Sequence, residues 1–326
     1  MGNPWLWIGF NIFVLAMLAV DLGVFHRRPH AISLREAGAW SVFWVVLSLL
    51  FNLGVWHWYG DAKGLQFLTG YVIEKSLSVD NIFVFAVLFR YFAVEPRYQH
   101  RVLFWGILGA LIMRGLMIWL GVELIARFEW ILYVFGAFLV WTGTKMMFHK
   151  PEDIEPEKNP VLRMARKFLP VTPSYEGQKF FVRHEGIWKV TPMFLVLLVV
   201  ETTDVAFALD SIPAIFAITK DPFIIYSSNV FAILGLRALY FLLAAMLPYF
   251  RYLSAGLSVV LMFIGVKMLV EKWVHIPTSI ALGVVATVLS MAVIASVVAA
   301  RAEARAQQKA KAGLRKTKAG ETHLEV

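Results

Sequence analysis

The sequence predicts an all-α polytopic membrane protein of about nine transmembrane helices, with residue 1 outside and the C-terminus in the cytoplasm. Its core is predicted to be two inverted three-helix repeats with broken helices. Three observations predict this. Long apolar stretches alternate with short charged connections, basic residues crowd into alternate connections, and acidic residues recur at matched positions in two halves of the chain.

Of 326 residues, 59% are apolar and only 16% charged, a balance that fits a lipid-embedded chain and not a soluble domain. A helix needs about 20 mostly apolar residues to cross the hydrocarbon. Nine segments qualify, near 5–25, 37–56, 67–89, 102–121, 129–148, 193–217, 228–247, 254–271 and 278–298. The first has no basic leading region and no small-residue cleavage site, so it reads as a retained helix. There is no cysteine, which excludes disulfides, thiolate metal ligands and cysteine nucleophiles.

Orientation follows from the basic residues. The connections 26–36, 89–101, 149–190, 248–253 and 299–326 together carry 22 Lys and Arg; the alternate set carries four, Lys63, Arg127, Lys220 and Lys272. Under the positive-inside rule the first set faces the cytoplasm of a bacterial inner membrane. The net charge of +9 is therefore mainly a topology signal, with contact to anionic lipid headgroups second. Nucleic acid is not an expected partner, because the basic stretch Arg301–Lys318 is short, Ala-rich and without a base-reading motif.

The only long connection, 149–190, mixes eight basic and six acidic residues with five prolines and reads as a cytoplasmic linker, with room for a short amphipathic helix around Val161–Phe168. The halves on either side match. Glu74 followed by Asp80-Asn81-Ile82 corresponds to Asp204 followed by Asp210-Ser211-Ile212. Ile107-Leu108-Gly109 with Arg114 resembles Ile233-Leu234-Gly235 with Arg237, and Gly143-Thr144-Lys145-Met146 parallels Gly265-Val266-Lys267-Met268. The expected organisation is peripheral helices in 1–66, a first repeat over 67–148, the linker 149–190, a second, inverted repeat over 191–274, a ninth helix in 275–300 and a basic cytoplasmic tail, 301–326. Inverted repeats can exchange conformations and give alternating access to a central site.

Seven acidic residues fall in or at the rims of these spans: Asp21, Glu74, Asp80, Glu201, Asp204, Asp210 and Glu271. A carboxylate near the middle of a membrane helix costs about 2.5–3.5 kcal/mol on insertion scales. Residues six apart on an unbroken helix point about 120° apart. For Glu74 and Asp80, or Asp204 and Asp210, to address one cavity, each helix is expected to unwind between them, aided by Pro213. Four such carboxylates with Asn81 and Ser211 make an oxygen cage suited to Mn²⁺, Mg²⁺ or Ca²⁺. The alternative is that the acids pair structurally with Lys75, Arg114, Lys145, Arg237 and Lys267. The histidines, among them His26, His30, His57 and His149, lie in loops or near interfaces and make poor midplane ligands. With no phosphate-binding glycine loop, exchange of metal for protons on the carboxylates is the expected energy source. Lys145 and Lys267 either occupy the acids once the metal has left or snorkel to the interface; Arg114 and Arg237 read as buried partners keeping the site near neutral. Interfacial tryptophans and scattered methionines read as anchors and core fillers, and no organic cofactor is expected.

Four strings give the chain a recognisable likeness: Asp21–Phe25 (DLGVF), Glu74–Phe85 (EKSLSVDNIFVF), Glu201–Ala217 (ETTDVAFALDSIPAIFA) and Ser228–Phe241 (SNVFAILGLRALYF). The chain resembles the TerC family of integral membrane proteins over roughly residues 10–300, and is similar above all to its long, nine-helix bacterial members of the Alx type. The resemblance implies a part in manganese homeostasis: export of Mn²⁺ from the cytoplasm, with Glu74, Asp80, Asp204 and Asp210 at the family's central acidic positions and Asn81, Glu201 and Ser211 beside them. It also implies links to alkaline pH and tellurite resistance, and a plastid relative is associated with inserting proteins into the thylakoid membrane.

Three readings are thus set against one another. The first is a secondary transporter, not an enzyme, exporting divalent cations with protons as coupling ion. The second is a membrane-protein assembly or membrane-stress factor without transport. The third is an intramembrane enzyme, for which the sequence names no substrate.

Overall fold

The computed structural model describes residues 4–23, 33–148, 156–184, 186–244 and 252–321, with the side chains of 21–23, 184 and 303–321 outside that description. Its elements are α1 (Pro4–Gly23), α2 (Leu34–Tyr59), α3 (Asp61–Tyr91), α4 (Pro96–Arg127), α5 (Ile131–Phe148), α6 (Pro160–Phe168), β1 (Phe181–His184), β2 (Ile187–Val190), α7 (Pro192–Phe216), α8 (Pro222–Leu234), α9 (Leu236–Ala244), α10 (Leu253–Val270) and α11 (Thr278–Glu321). Among the described residues the predicted apolar stretches are mostly helical, with turns at Glu129–Trp130, Ala217 and Glu271 and a break at Gly235.

The helix starts follow local chemistry. Pro96, Pro160, Pro192 and Pro222 each open a helix, where a missing N–H goes unneeded. Asn159 caps α6 by accepting from the Val161 and Leu162 amides at 2.9 and 3.2 Å, and Asp221 caps α8 through the Phe223 amide at 3.0 Å. Asp221 also takes an ion pair from Lys63 at 2.8 Å, and α8 accordingly begins six residues ahead of the predicted start at 228. Gly60, at φ +84°, turns α2 directly into α3.

Among the described residues, six helices are individually long and apolar enough to cross a membrane, or seven if α8 and α9, bent by 42° at their junction, form one span. α3 falls outside this group because it carries Asp61, Lys63, Glu74, Lys75, Asp80 and Arg90 in one helix. α11 merges the predicted ninth span with part of the predicted tail into one 44-residue helix.

The expected unwinding is corrected here. α3 is helical through Glu74–Asp80 and α7 through Asp204–Asp210, and Pro213 leaves α7 intact to Phe216. The break lies instead at Gly235, between α8 and α9. The Lys75 ammonium donates to the Ala232 carbonyl there at 3.1 Å, and a methyl on Gly235 would come within 2.8 Å of that ammonium.

Two packing centres hold the bundle. Phe10, Phe51, Phe67 and Phe231 bring α1, α2, α3 and α8 together, with the Phe51 and Phe231 ring centres 4.6 Å apart. α5 and α10 cross backbone to backbone: a methyl on Gly143 would lie 2.7 Å from the Ser258 carbonyl oxygen, and one on Gly265 2.6 Å from that of Gly136.

The linker is structured where described. α6 lies on α7, with Leu162 and Ala165 buried and the Asn159 amide donating to the Thr202 hydroxyl at 3.1 Å. β1 and β2 form an antiparallel hairpin pairing Phe181 with Val190 and His184 with Ile187, its turn carried by Gly186 at φ +83°. Glu157 accepts from the Tyr91 hydroxyl at the end of α3 and, through both carboxylate oxygens, from Arg166 Nη1 at 2.9 and 3.0 Å.

Two predictions follow from these contacts. Overpacking the α5–α10 crossing with Gly143→Leu is expected to lower stability by about 1–3 kcal/mol, read as a fall in melting temperature of the detergent-solubilised protein. The Tyr91 hydroxyl, and after it Arg166, holds the Glu157 carboxyl below its usual range. A depressed pKa stabilises docking above the ordinary carboxylate value, and the effect disappears as pH falls through the folded value. Protease resistance of 156–190 is therefore expected to be flat from pH 8 to 5 and to drop only below about pH 4; Glu157→Gln removes that drop.

Candidate functional site

The charged centre of the molecule is Arg114, on α4 and 2% exposed. Its Nη1 donates to Glu74 Oε1 on α3, to Asn229 Oδ1 on α8 at 2.8 Å and to Ser211 Oγ on α7 at 3.2 Å. Its Nε and Nη2 form a fork on Asp204 of α7, at 3.2 and 3.1 Å. Glu74, Asp204, Ser211 and Asn229 are all buried. One guanidinium thus ties four helices by charge-assisted hydrogen bonds. With both acids ionised, the cluster carries one net negative charge. Glu74 Oε2, the Ser78 hydroxyl and Asn229 Nδ2 are buried without a hydrogen-bond partner.

The other predicted residues are dispersed. Asp80 faces Ser254 on α10, and Asp210 faces Thr142 and Lys145 on α5. Glu201 stands beside Asp204, its carboxylate filling the notch left by Gly109, where a methyl would overlap it. Asn81 is buried in α3, and Arg237 is buried in the first turn of α9. Lys145 is exposed, its ammonium 5.4 Å from the centre of the Trp141 ring. Lys267 is buried and donates to the Ala217 carbonyl at 2.9 Å and to Glu271 at 3.1 Å, away from the central acids. The Asp21 side chain lies outside the described residues.

The single four-carboxylate cage is therefore not assembled in this conformation. Among the described residues, no three His, Asp or Glu side chains converge as a metal-holding group. Because α3 and α7 stay helical, residues six apart must address different neighbours. Glu74 and Asp204 meet Arg114, while Asp80 and Asp210 point to α10 and α5. Sequence reasoning named Arg114, Glu74, Asp204 and Ser211 but missed Asn229; the run Ser227-Ser228-Asn229 inside an apolar helix was the available signal. It also gave Lys75 no role at the α8–α9 break.

Residues 59–306 match the integral membrane protein TerC family. The chain belongs to the TerC family. An uncharacterized membrane protein of Myxococcus xanthus is 51% identical over 301 residues, 92% of this chain and 94% of that protein. The putative membrane-bound redox modulator Alx is 50% identical over 304 residues in both Salmonella typhi and Escherichia coli K12, covering 90% of this chain and 94% of each relative. No solved structure matches. This TerC protein is thus a multi-pass protein of the bacterial inner membrane, closely related to the Alx-type members.

Removing the central cation tests the cluster. Arg114→Met leaves two buried carboxylates without a counter-charge and is expected to destabilise the TerC bundle by about 3–5 kcal/mol. The triple variant Arg114→Met, Glu74→Gln, Asp204→Asn is expected to recover most of that loss in the same thermal-unfolding measurement.

Proposed function

We propose that this chain is a membrane-stress factor acting in ion and redox homeostasis of the bacterial inner membrane, and that its Arg114 cluster is the element on which this role depends. The observation that carries the reading is the closed cluster itself: Glu74 and Asp204 are occupied by a tethered guanidinium instead of standing open as a cage. The name of the Alx relatives supports a redox connection. A chain without cysteine cannot carry out thiol–disulfide exchange, and in this reading its influence on redox balance is indirect. Control of ions, or of other membrane proteins under alkaline or tellurite stress, is the route left to it.

A second reading is export of a divalent cation by alternating access, Mn²⁺ first, with proton counterflow and the N-terminus outside. One observation favours it. An offset of 130 residues carries Glu74 onto Asp204, the two acids held by Arg114, and an offset of 122 carries Gly143 onto Gly265 and Gly136 onto Ser258. In the α5–α10 crossing Gly143 meets Ser258 while Gly136 meets Gly265. That reciprocal pattern is what a two-fold axis between repeats produces. In this reading Glu74, Asp80, Asn81, Glu201, Asp204, Asp210 and Ser211 serve the cation in turn, with Arg114, Lys145, Arg237 and Lys267 as counter-charges.

Reconstitution in liposomes separates the two. The stress-factor reading expects no Mn²⁺, Mg²⁺ or Ca²⁺ flux above that of protein-free vesicles, with or without a proton gradient. The exporter reading expects Mn²⁺ flux driven by the gradient and lost in Asp80→Asn (D80N) and Asp204→Asn protein that still folds. Equal flux from wild type and D80N would sink the exporter mechanism.

A further inference from the structure

The segment between α5 and α7 exposes apolar side chains that neither the Arg114 cluster nor the bundle core uses. At about 100° per residue, Leu162 and Ala165 of α6 form the buried stripe against α7, Met164 and Phe168 lie together on one flank, and Arg163, Arg166 and Lys167 lie on the other. Met164 is 61% and Phe168 70% exposed, although both are apolar. In the hairpin, the partners Arg183 and Trp188 share a face with Phe181, because cross-strand partners and alternate residues point the same way. Phe181 and Trp188 are exposed on that face. It adjoins the bilayer: the Phe181 ring centre is 4.8 Å from that of Phe194, in the first turn of the membrane-crossing helix α7. The end of α6 is pinned at the same level, since the Val190 amide donates to the Pro170 carbonyl and the Thr172 amide to the Val190 carbonyl, each at 2.9 Å.

We infer that α6 and the hairpin form a membrane-surface clamp for anionic phospholipid: Met164, Phe168, Phe181 and Trp188 enter the interface, and Arg163, Lys167 and Arg183 take headgroup phosphates. The charge fits that occupant, for residues 158–190 carry seven Lys and Arg against two Glu. A helix with one basic and one apolar flank settles in the plane of the interface, and its binding grows with buried apolar area and with anionic lipid. Tryptophan where a span enters the membrane is an interfacial anchor. Continuity with α7 favours lipid over a soluble partner: β2 ends at Val190 and α7 begins at Pro192, so the aromatic face stays at headgroup level. Arg163 Nε donates to the Glu157 carbonyl at 2.9 Å, and the Lys167 ammonium lies 5.6 Å from the centre of the Phe168 ring, which holds the basic flank beside the apolar one. Arg166 is paired with Glu157 and stays out of the clamp. Under the positive-inside rule the leaflet is the cytoplasmic one, whose anionic lipids attract basic segments. Such a clamp serves a stress factor and an exporter alike.

Because the chain has no cysteine, a single introduced one carries an apolar nitroxide label at a chosen place. The test uses the full-length protein with Met164→Cys, Phe168→Cys or Trp188→Cys, labelled in phosphatidylcholine nanodiscs with and without phosphatidylglycerol. EPR relaxation by oxygen, which partitions into lipid, is compared with relaxation by a nickel chelate, which stays in water. With phosphatidylglycerol each label is expected to be reached by oxygen and shielded from the chelate. Adding Arg163→Gln, Lys167→Gln and Arg183→Gln together is expected to reverse this, raising the ratio of water-exposed to shielded label at least about tenfold. These three side chains are exposed, so the bundle keeps its melting temperature. Labels open to the chelate in both kinds of nanodisc overturn the clamp. Equal shielding with and without phosphatidylglycerol, unaltered in the triple variant, leaves apolar contact alone and overturns the anionic-lipid assignment. Labels open in nanodiscs yet shielded in native membranes put a protein partner on the patch and overturn it too.

Discussion

The interaction on which the rest of the structure depends is the fork of Arg114 on Asp204 with its third arm on Glu74. Each of these carboxylates alone in the hydrocarbon is unfavourable by several kcal/mol, and so is a lone guanidinium. Together they satisfy one another, and Ser211 and Asn229 complete the hydrogen bonding from two directions. Since these acceptors sit on α3, α7 and α8 while the donor sits on α4, the cluster sets the depth and rotation of four helices at once. A planar guanidinium can do this where an ammonium cannot, because its donors diverge in a fixed fan.

The same interaction explains why α3 and α7 are unbroken. The six-residue spacing predicts unwound helices only if both members of a pair address one cavity. The acids instead divide the work: one member of each pair goes to Arg114, the other turns about 120° away, to α10 or α5. The backbone keeps its hydrogen bonds, and the cation reaches across to the acids.

What the sequence made legible was whatever depends on composition and period. Nine apolar stretches became helical segments because their length and hydropathy leave a buried backbone few other ways to satisfy itself. Arg114, Glu74, Asp204 and Ser211 stood out because charges and repeats are visible in one dimension. The hairpin of β1 and β2 was read as part of a linker, though Phe181-Val182-Arg183 and Ile187-Trp188-Lys189-Val190 alternate around Gly186. Asn229 escaped because an uncharged amide does not stand out, and its importance comes from pointing at a residue 115 positions away. The break at Gly235 is likewise a matter of tertiary contact, since Lys75 supplies the donor that the helix there lacks.

Lys75 and Lys267 follow one rule that Arg114 carries further. Each lysine places a positive charge on a carbonyl at a helix C-terminal end, Ala232 for α8 and Ala217 for α7, where unpaired carbonyls and the helix dipole both favour a cation. Lys75, Lys267 and Arg114 therefore sit on oxygens within the bundle that would otherwise lack a donor. For a free ion to occupy the centre, the guanidinium has to leave two carboxylates, and leaving before the ion arrives exposes two uncompensated charges at about 3–5 kcal/mol. Ion entry and release of Arg114 are consequently one event in any mechanism that uses this point. The partnerless Glu74 Oε2 is where such an exchange has an acceptor already waiting.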